Sequence, residues 1–308
     1  MLAISQQTLG GPEVLEAVEL PRPAPGPTEV LVRVTAAGVN PVDFKTRRGG
    51  GFLGEPRFVL GWDIAGVVEE VGYGVTRFAP GDRVFGMPAF PREAGGYAEY
   101  AVARSRALAR IPDGLSDAEA AALPLAGLTA YQALVDTAAV GDGTRVLIHA
   151  AAGGVGHLAV QIAKAAGAYV IGTARSVHHA WLRELGADEL IDYTAEPTDR
   201  ADVDVILDLV GGDVGVRSLP SLRDGGLIIT IPSGADVAPL REAAGGRVRV
   251  TGLLVEPDRT GMEALAQLAA DGRVRVKLAR TFPLAEAGAA HALLERGDAG
   301  GGKVVLTT

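Results

Sequence analysis

The sequence predicts an α/β protein in which an all-β lobe is followed by a doubly wound parallel sheet. Residues 1 to about 115 are short β-branched runs cut by Pro and Gly, the pattern of a compact lobe of strands. Six further strand candidates then alternate with amphipathic stretches, and a glycine-rich turn joins the first of them to its helix. With 308 residues the chain has the length of about two domains and can bury a large core without staples.

In the first part the strand candidates are Glu29 to Thr35, Ile64 to Val71, Arg83 to Phe85 and Tyr97 to Val102. Pro21, Pro23, Pro25 and Pro27 read as one loop and Gly49 to Gly51 as another. At Ser116 the pattern changes. Ser116-Asp117-Ala118-Glu119 has the form of an N-cap followed by acidic first-turn residues, and an Ala-rich helix runs on to about Leu123. Strands are then expected at Arg145 to Ala150, Tyr169 to Thr173, Glu189 to Asp192, Val203 to Leu207, Gly226 to Ile231 and Arg249 to Leu254. Between the first two lies a helix from Val155 to Ala166, because Val155, Leu158, Ala159, Ile162 and Ala166 recur along one face. A helix near Leu284 to Leu294 and a strand at Lys303 to Leu306 follow, and this tail is expected to return to the first lobe. The sequence has no internal repeat.

Composition limits the functions available. Hydrophobic residues make up 48%, charged residues 21%, and the net charge is -8, so a general electrostatic grip on nucleic acid is not expected. The absence of Cys removes disulfides, a thiolate nucleophile, iron-sulfur clusters and every zinc site built on sulfur. Glu13, Glu16 and Glu19 interrupt the first twenty residues, which lack the form of a signal peptide. No stretch reaches the roughly 18 uninterrupted apolar residues of a membrane span. A cytoplasmic protein without membrane or nucleic-acid partners is expected.

Ala150-Ala151-Ala152-Gly153-Gly154-Val155-Gly156 lies directly after one strand and opens a helix. Glycines there let the backbone approach a pyrophosphate, and the helix N-terminus offers N–H groups and a favourable dipole. Gly153 and Gly156 fit the last two glycines of Gly-x-Gly-x-x-Gly, while Ala151 stands where the first belongs. A tight turn that uses its glycines for packing alone is the alternative. The end of the next strand reads Thr173-Ala174-Arg175-Ser176, with no acid before Glu184 to hold a ribose 2′-hydroxyl. Arg175 can pair a 2′-phosphate and Ser176 can hydrogen-bond it, which favours NADPH.

Together these segments resemble the zinc-independent quinone oxidoreductases, the zeta-crystallin-like branch of the medium-chain dehydrogenase/reductase superfamily. The matching stretches are Ala37-Gly38-Val39-Asn40-Pro41-Val42-Asp43, Gly61-Trp62-Asp63-Ile64-Ala65-Gly66-Val67-Val68, Gly127-Leu128-Thr129-Ala130-Tyr131, the Ala150 to Gly156 turn and Gly302-Lys303-Val304-Val305-Leu306. The resemblance implies a GroES-like β-barrel lobe, residues 1–115 and 272–308, and a Rossmann domain, residues 116–271, with the active site in the cleft between them. Zinc-dependent relatives carry a ligand Cys where Asn40 stands and Gly-His-Glu where Gly61-Trp62-Asp63 stands, so no metal site is expected. His149, His157, His178, His179 and His291 do not supply a replacement.

By the same resemblance Thr129, Ala152, Gly153, Gly154, Val155, Arg175, Ser176, Tyr193, Val210, Ile231 and Ser233 line the cofactor. Thr129 would approach the nicotinamide and Tyr193 the 2′-phosphate. Many quinone reductases have Tyr two residues beyond the motif Asp43, where this chain has Lys45, a residue more like the enone or alkenal reductases of the branch. Otherwise Lys45 is a solvated lysine on a loop beside Arg47 and Arg48. The expected activity is hydride transfer from NADPH to a quinone or an α,β-unsaturated carbonyl compound. Asn40 and Lys45 are the expected catalytic hydrogen-bond donors, beside the ribose hydroxyls of the cofactor itself, and the proton comes from solvent or from a weakly specified donor. One-electron quinone reduction, a polyketide-synthase enoyl reductase module and a non-catalytic NADPH-binding or redox-sensing protein are the alternatives. A homodimer is expected, with Arg249 to Leu254 as its sheet edge.

Overall fold

The structure is a computed structural model that describes residues 1–198, 202–232 and 236–308. It begins with strands β1 (Leu2–Gln6), β2 (Glu16–Glu19) and β3 (Glu29–Val39), followed by helix α1 (Pro41–Gly49). Strands β4 (Phe58–Val59), β5 (Asp63–Val71), β6 (Arg83–Gly86), β7 (Tyr100–Arg104) and β8 (Leu108–Arg110) lead to the short helices α2 (Asp117–Ala121) and α3 (Pro124–Tyr131). The middle alternates: β9 (Arg145–Ile148), α4 (Gly156–Ala165), β10 (Tyr169–Thr173), α5 (His179–Glu184), β11 (Glu189–Ile191), β12 (Val203–Asp208), α6 (Asp213–Ser218), β13 (Leu222–Thr230), α7 (Ala238–Ala244) and β14 (Arg249–Gly252). Then come α8 (Arg259–Ala270), β15 (Leu278–Pro283), α9 (Ala287–Glu295) and β16 (Lys303–Thr307).

Contacts group these elements into two units, Met1–Leu128 with Glu256–Gly272 and Val276–Thr308, and Thr129–Val255 with Arg273–Arg275. The boundaries expected at residues 115 and 272 therefore need correcting. Residues 116–128 and 256–271 belong with the β-rich unit, because α2 packs on β3 and β5 and α8 packs on β8.

In the β-rich unit one sheet runs β15-β16-β3-β5-β6-β8, with β7 also paired to β3, and a second runs β2-β1-β4. The length of β3 explains the branching. Its first residues pair with β7 and its last with β16, while β5 follows it along the other edge. Among the described residues no pairing joins the ends β15 and β8 of the longer sheet. Val30, Val32, Val34, Ile64, Val68, Phe78, Val84 and Leu108 form its core.

The other unit is a six-stranded sheet, β11-β10-β9-β12-β13-β14, with every pairing parallel. Val146, Leu147 and Ile148 are all fully buried, the continuous apolar run that a central parallel strand requires when both its faces are covered. Successive strands add outward from β9 on one side and from β12 on the other, so the chain reverses direction between those two. Ligands of such sheets bind outside the carboxyl ends of the strands at this switch point.

Candidate active site

The turn after β9 is built by close backbone packing. Ala150 takes a left-handed conformation (φ 49°), a tight bend one residue before Ala151, where the first glycine of the nucleotide motif belongs. Gly153 N–H donates to Ala150 O at 2.8 Å, and the His157 ring nitrogen Nδ1 donates to Gly153 O at 2.9 Å. A Cβ on Gly156 would stand 2.3 Å from Ala150 O and 2.7 Å from Ala151 Cα, so only glycine lets α4 start so near β9. α4 begins without a side-chain cap. Its N-terminal turn is therefore of the kind that receives a phosphate.

The other expected cofactor residues follow neighbouring strands of the same sheet. Arg175 and Ser176 are exposed after β10, and Tyr193 is exposed after β11. Asp192 joins these two loops: it accepts from Ser176 N–H at 2.8 Å, from Thr194 N–H at 3.0 Å and from the Thr194 hydroxyl at 2.6 Å. The Thr194 and Ser176 donors hold its carboxyl well below the usual range. Val210, after β12, is exposed, and Ile231, after β13, is half-buried. Both are set by buried Asp208, whose carboxylate accepts from Val210 N–H, Gly211 N–H and the Thr230 hydroxyl while its carbonyl accepts from Ile231 N–H. Sequence reasoning missed Asp208 and Asp192, although an acid closing an apolar strand was a usable signal for each. Thr129 is buried on α3, Ala152 is buried in the turn, and Gly154 and Val155 are half-buried. Ser233 lies outside the described residues.

In the β-rich unit Asn40 caps α1, which begins at Pro41 and runs through Lys45. Asn40 N–H donates to Asp43 Oδ2 at 2.7 Å, and its side-chain amide donates to Asp63 Oδ2 at 2.8 Å. Lys303 Nζ donates to Asn40 Oδ1. Asn40 is thus buried and engaged on both sides of its amide, whereas Lys45 is exposed on the helix. The structure separates the two expected catalytic residues by environment.

A second hydrogen-bonded chain runs through the same core. Arg47 donates to His291 Nδ1 at 3.3 Å and to Glu295 at 2.7 Å, and His291 Nε2 lies 3.1 Å from the Tyr97 hydroxyl. A guanidinium has no acceptor, so His291 accepts at Nδ1, carries its proton on Nε2 and donates it to Tyr97 oxygen. The Tyr97 hydrogen then serves its contact with Asp43. Burial pushes Asp43 up to about 7, against the hydrogen bonds from Asn40 and Gly61, and burial beside Arg47 pushes His291 down to about 3. The chain ends on the Arg47 guanidinium, which only donates, and it ties α1, α9 and Tyr97 into one ordered core.

The residues at the family's zinc positions do not fit the metal. Trp62 donates its indole N–H to Arg92 O and has no ligating atom, while Asn40 and Asp63 are bonded to each other and Lys303 lies 3.8 Å from Asp63. A cation beside the carboxylate repels a metal ion. Among the described residues no group of three or more His, Asp or Glu side chains is placed to hold one. His149 is bonded to Ser218 at 2.7 Å, and His179 donates to Ala174 O at 3.0 Å.

The family model described as "Alcohol dehydrogenase GroES-like domain" matches residues 26–113, and that described as "Zinc-binding dehydrogenase" matches residues 185–306. The chain is 36% identical to a 2-haloacrylate reductase of Burkholderia sp, over 92% of each chain. Its structure resembles the quinone oxidoreductase from Coxiella burnetii with a TM-score of 0.93 and 40% identity, covering 100% of this chain and 99% of the other. It resembles the Escherichia coli quinone oxidoreductase, solved in complex with NADPH, with a TM-score of 0.87 and 31% identity over all of both chains. Full-length similarity of this kind, together with Asn40, Trp62 and Asp63 at the zinc positions, identifies the chain as a member of the zinc-independent quinone oxidoreductase branch of the medium-chain dehydrogenase/reductase superfamily.

Proposed function

We propose that this protein is a zinc-independent, NADPH-dependent reductase of quinones or α,β-unsaturated carbonyl compounds. The observation that carries the reading is the alignment of the cofactor residues along one edge of the parallel sheet. Ala152, Gly153, Gly154 and Val155 follow β9, Arg175 and Ser176 follow β10, Tyr193 follows β11, Val210 follows β12 and Ile231 follows β13. All five segments leave carboxyl ends of strands, where a dinucleotide binds. The end of β10 carries Arg175 and no acid, which supports the 2′-phosphate form, and the Escherichia coli relative was solved with NADPH.

Bound NADPH supplies a hydride from its nicotinamide. The N-terminal turn of α4 would hold the pyrophosphate, Arg175 and Ser176 would hold the 2′-phosphate with Tyr193 beside them, and Thr129 would lie toward the nicotinamide. Hydride addition to an enone leaves negative charge on its carbonyl oxygen, so a donor there lowers the barrier. Exposed Lys45 fills that role, and Asn40 contributes by fixing the start of its helix. Phe52, 51% exposed, meets the buried Phe90 edge-on at 5.5 Å, and Phe90 meets the buried Trp62 edge-on at 5.5 Å, so the one exposed ring of the three is anchored on the core and is the surface a planar acceptor would meet. The proton comes from solvent.

The protein acts in the cytoplasm as a homodimer in this reading. No helix among the described residues is long and apolar enough to cross a membrane. The test follows nicotinamide absorbance with NADPH and NADH against a quinone, an alkenal and no acceptor, with and without a strong chelator. Chelator-insensitive, acceptor-dependent oxidation that prefers NADPH is the expected result. NADPH binding without acceptor-dependent decay would instead indicate a redox-sensing protein.

A further inference from the structure

Lys303 is the one buried lysine among the described residues, and its surroundings give it a specific task. The pairing of β16 with β3 sets Val304 opposite Val39, which brings Lys303 beside the end of β3. Its ammonium donates to Val39 O at 3.3 Å and to Asn40 Oδ1, and stands 3.8 Å from Asp63 Oδ2. Asn40 Nδ2 closes the ring on Asp63 at 2.8 Å. The other oxygen of Asp63 accepts from Leu125 N–H at 2.8 Å, in the first turn of α3. Asp63 is therefore a remote cap for the helix that carries Thr129 five residues after Pro124.

Room for this arrangement is reserved in the backbone. A Cβ on Gly38 would stand 2.8 Å from Asp63 Oδ2 and 2.4 Å from Ala121 O, so the carboxylate occupies space that any other residue would take. Charge explains the choice of lysine. Asp43 and Asp63 are both fully buried, burial raises the proton affinity of each and Asp63 raises that of Asp43 further, while Lys303 is the cation that opposes the rise in both. Without it two buried carboxylates share one site, and Asp63 binds a proton in place of its partners.

We propose that Lys303 is a positioning residue for the reduction: its ammonium locks Asn40 and Asp63 together, and Asp63 in turn holds the first turn of α3 and hence the placement of Thr129. This rests on the reductase reading above, in which Thr129 faces the nicotinamide. Lys303 touches neither cofactor nor substrate in this role. Its effect is felt in the geometry of α3 and in the charge of the Asp43–Asp63 pair.

The test compares wild type with Lys303→Met, Lys303→Gln and Lys303→Arg in the full chain. Amide hydrogen exchange at Leu125 reads the clamp without reference to activity, and kcat, KM for NADPH and the pH profile of kcat read its consequence. In Lys303→Met, Leu125 exchange is expected to accelerate at least tenfold. The same variant should lose at least tenfold in kcat with KM for NADPH within threefold, and show the pH profile of kcat displaced to higher pH. Lys303→Arg should recover at least part of the kcat, because it returns the charge. If Lys303→Met does not fold, Lys303→Gln, which keeps a donor but no charge, carries the same expectations. Unchanged Leu125 exchange, or wild-type kcat and pH profile in a folded neutral variant, would overturn the proposal. A wild type that binds NADPH without turnover would overturn the reductase reading, with Leu125 exchange still deciding whether the clamp exists.

Discussion

Asp43 and His291 lie in one hydrogen-bonded chain but respond to pH in opposite senses. The Asp43 carboxyl titrates near 3.8 when unburied and is pushed up to about 7 in the fold, so between these values the folded state holds a proton that the unfolded chain has released. Its contribution to stability therefore falls as pH rises from about 4 to about 7. His291 is pushed down from 6.5 to about 3 by burial and by Arg47, so over that range the unfolded chain holds the extra proton and stability rises with pH. Each slope is about 1.4 kcal/mol per pH unit, and from about pH 4 to about 6.5 they cancel. Asp63 raises and Lys303 lowers the Asp43 value, so neither alone sets it. Asp43→Asn is expected to gain stability with rising pH across this window, and His291→Gln to lose it. Urea midpoints measured at about pH 4.5 and about pH 6 check both signs, and identical profiles for the two variants would show that the pair is not the source. None of this chain was legible in the sequence. The glycine turn could be read because its partners are near in sequence. Arg47, Tyr97 and His291 meet only after α1 and α9 have packed in the fold, and Asn40 meets Lys303 only through the β3–β16 register.

At the level of single elements, α4 and the turn before it were legible because one apolar stripe and three glycines carry the signal locally. α4 buries Leu158, Ala159, Ile162 and Ala163, and Val155, expected inside the helix, is its cap. α1 was harder to read. Asn40, Pro41 and Asp43 form a capping box with Pro at the first position, but the helix buries Asp43, Thr46 and Arg47 rather than an apolar stripe, and the stretch around Lys45 reads equally as loop. No element was expected at α8, whose buried contribution is Gly261, Met262 and Leu265. The tightest requirement on α4 is at Gly156, where a Cβ meets backbone rather than a movable side chain. Gly156→Ala should force α4 away from β9, destabilise the fold by about 1–3 kcal/mol and raise the dissociation constant for NADPH at least tenfold. Thermal melts and fluorescence titration with NADPH measure the two effects. Full NADPH affinity in a folded Gly156→Ala would mean that this helix terminus does not hold the pyrophosphate.

Across the whole molecule, the β-rich unit is assembled from three stretches of chain, which is why its limits were only partly legible. Lys303 to Leu306, expected as a strand, is β16 and pairs with β3, but the membership of α2, of α3 as far as Leu128, and of α8 is decided by tertiary packing that no local pattern records. The parallel sheet presents a question of a different kind, because it ends in β14 and no described strand pairs with the outer edge of β14. Leu253 N–H donates inward to Thr230 O. By the alternation of a strand, the Gly252 and Val250 backbone groups face outward, and Leu254 beside them is 54% exposed. An unpaired edge flanked by an exposed apolar side chain is a template for a second copy related by a two-fold axis, which would continue the sheet across both chains and cover Leu254. In the homodimer reading, Gly252→Pro removes one outward N–H without touching the ladder to β13, a position that an edge strand tolerates. Wild type is expected to sediment at twice the chain mass at micromolar concentration. Gly252→Pro should sediment as a monomer, with its far-ultraviolet spectrum and NADPH affinity retained. A monomeric wild type, or a dimer indifferent to both Gly252→Pro and Leu254→Lys, would place the contact elsewhere and leave this edge protected only by its short length.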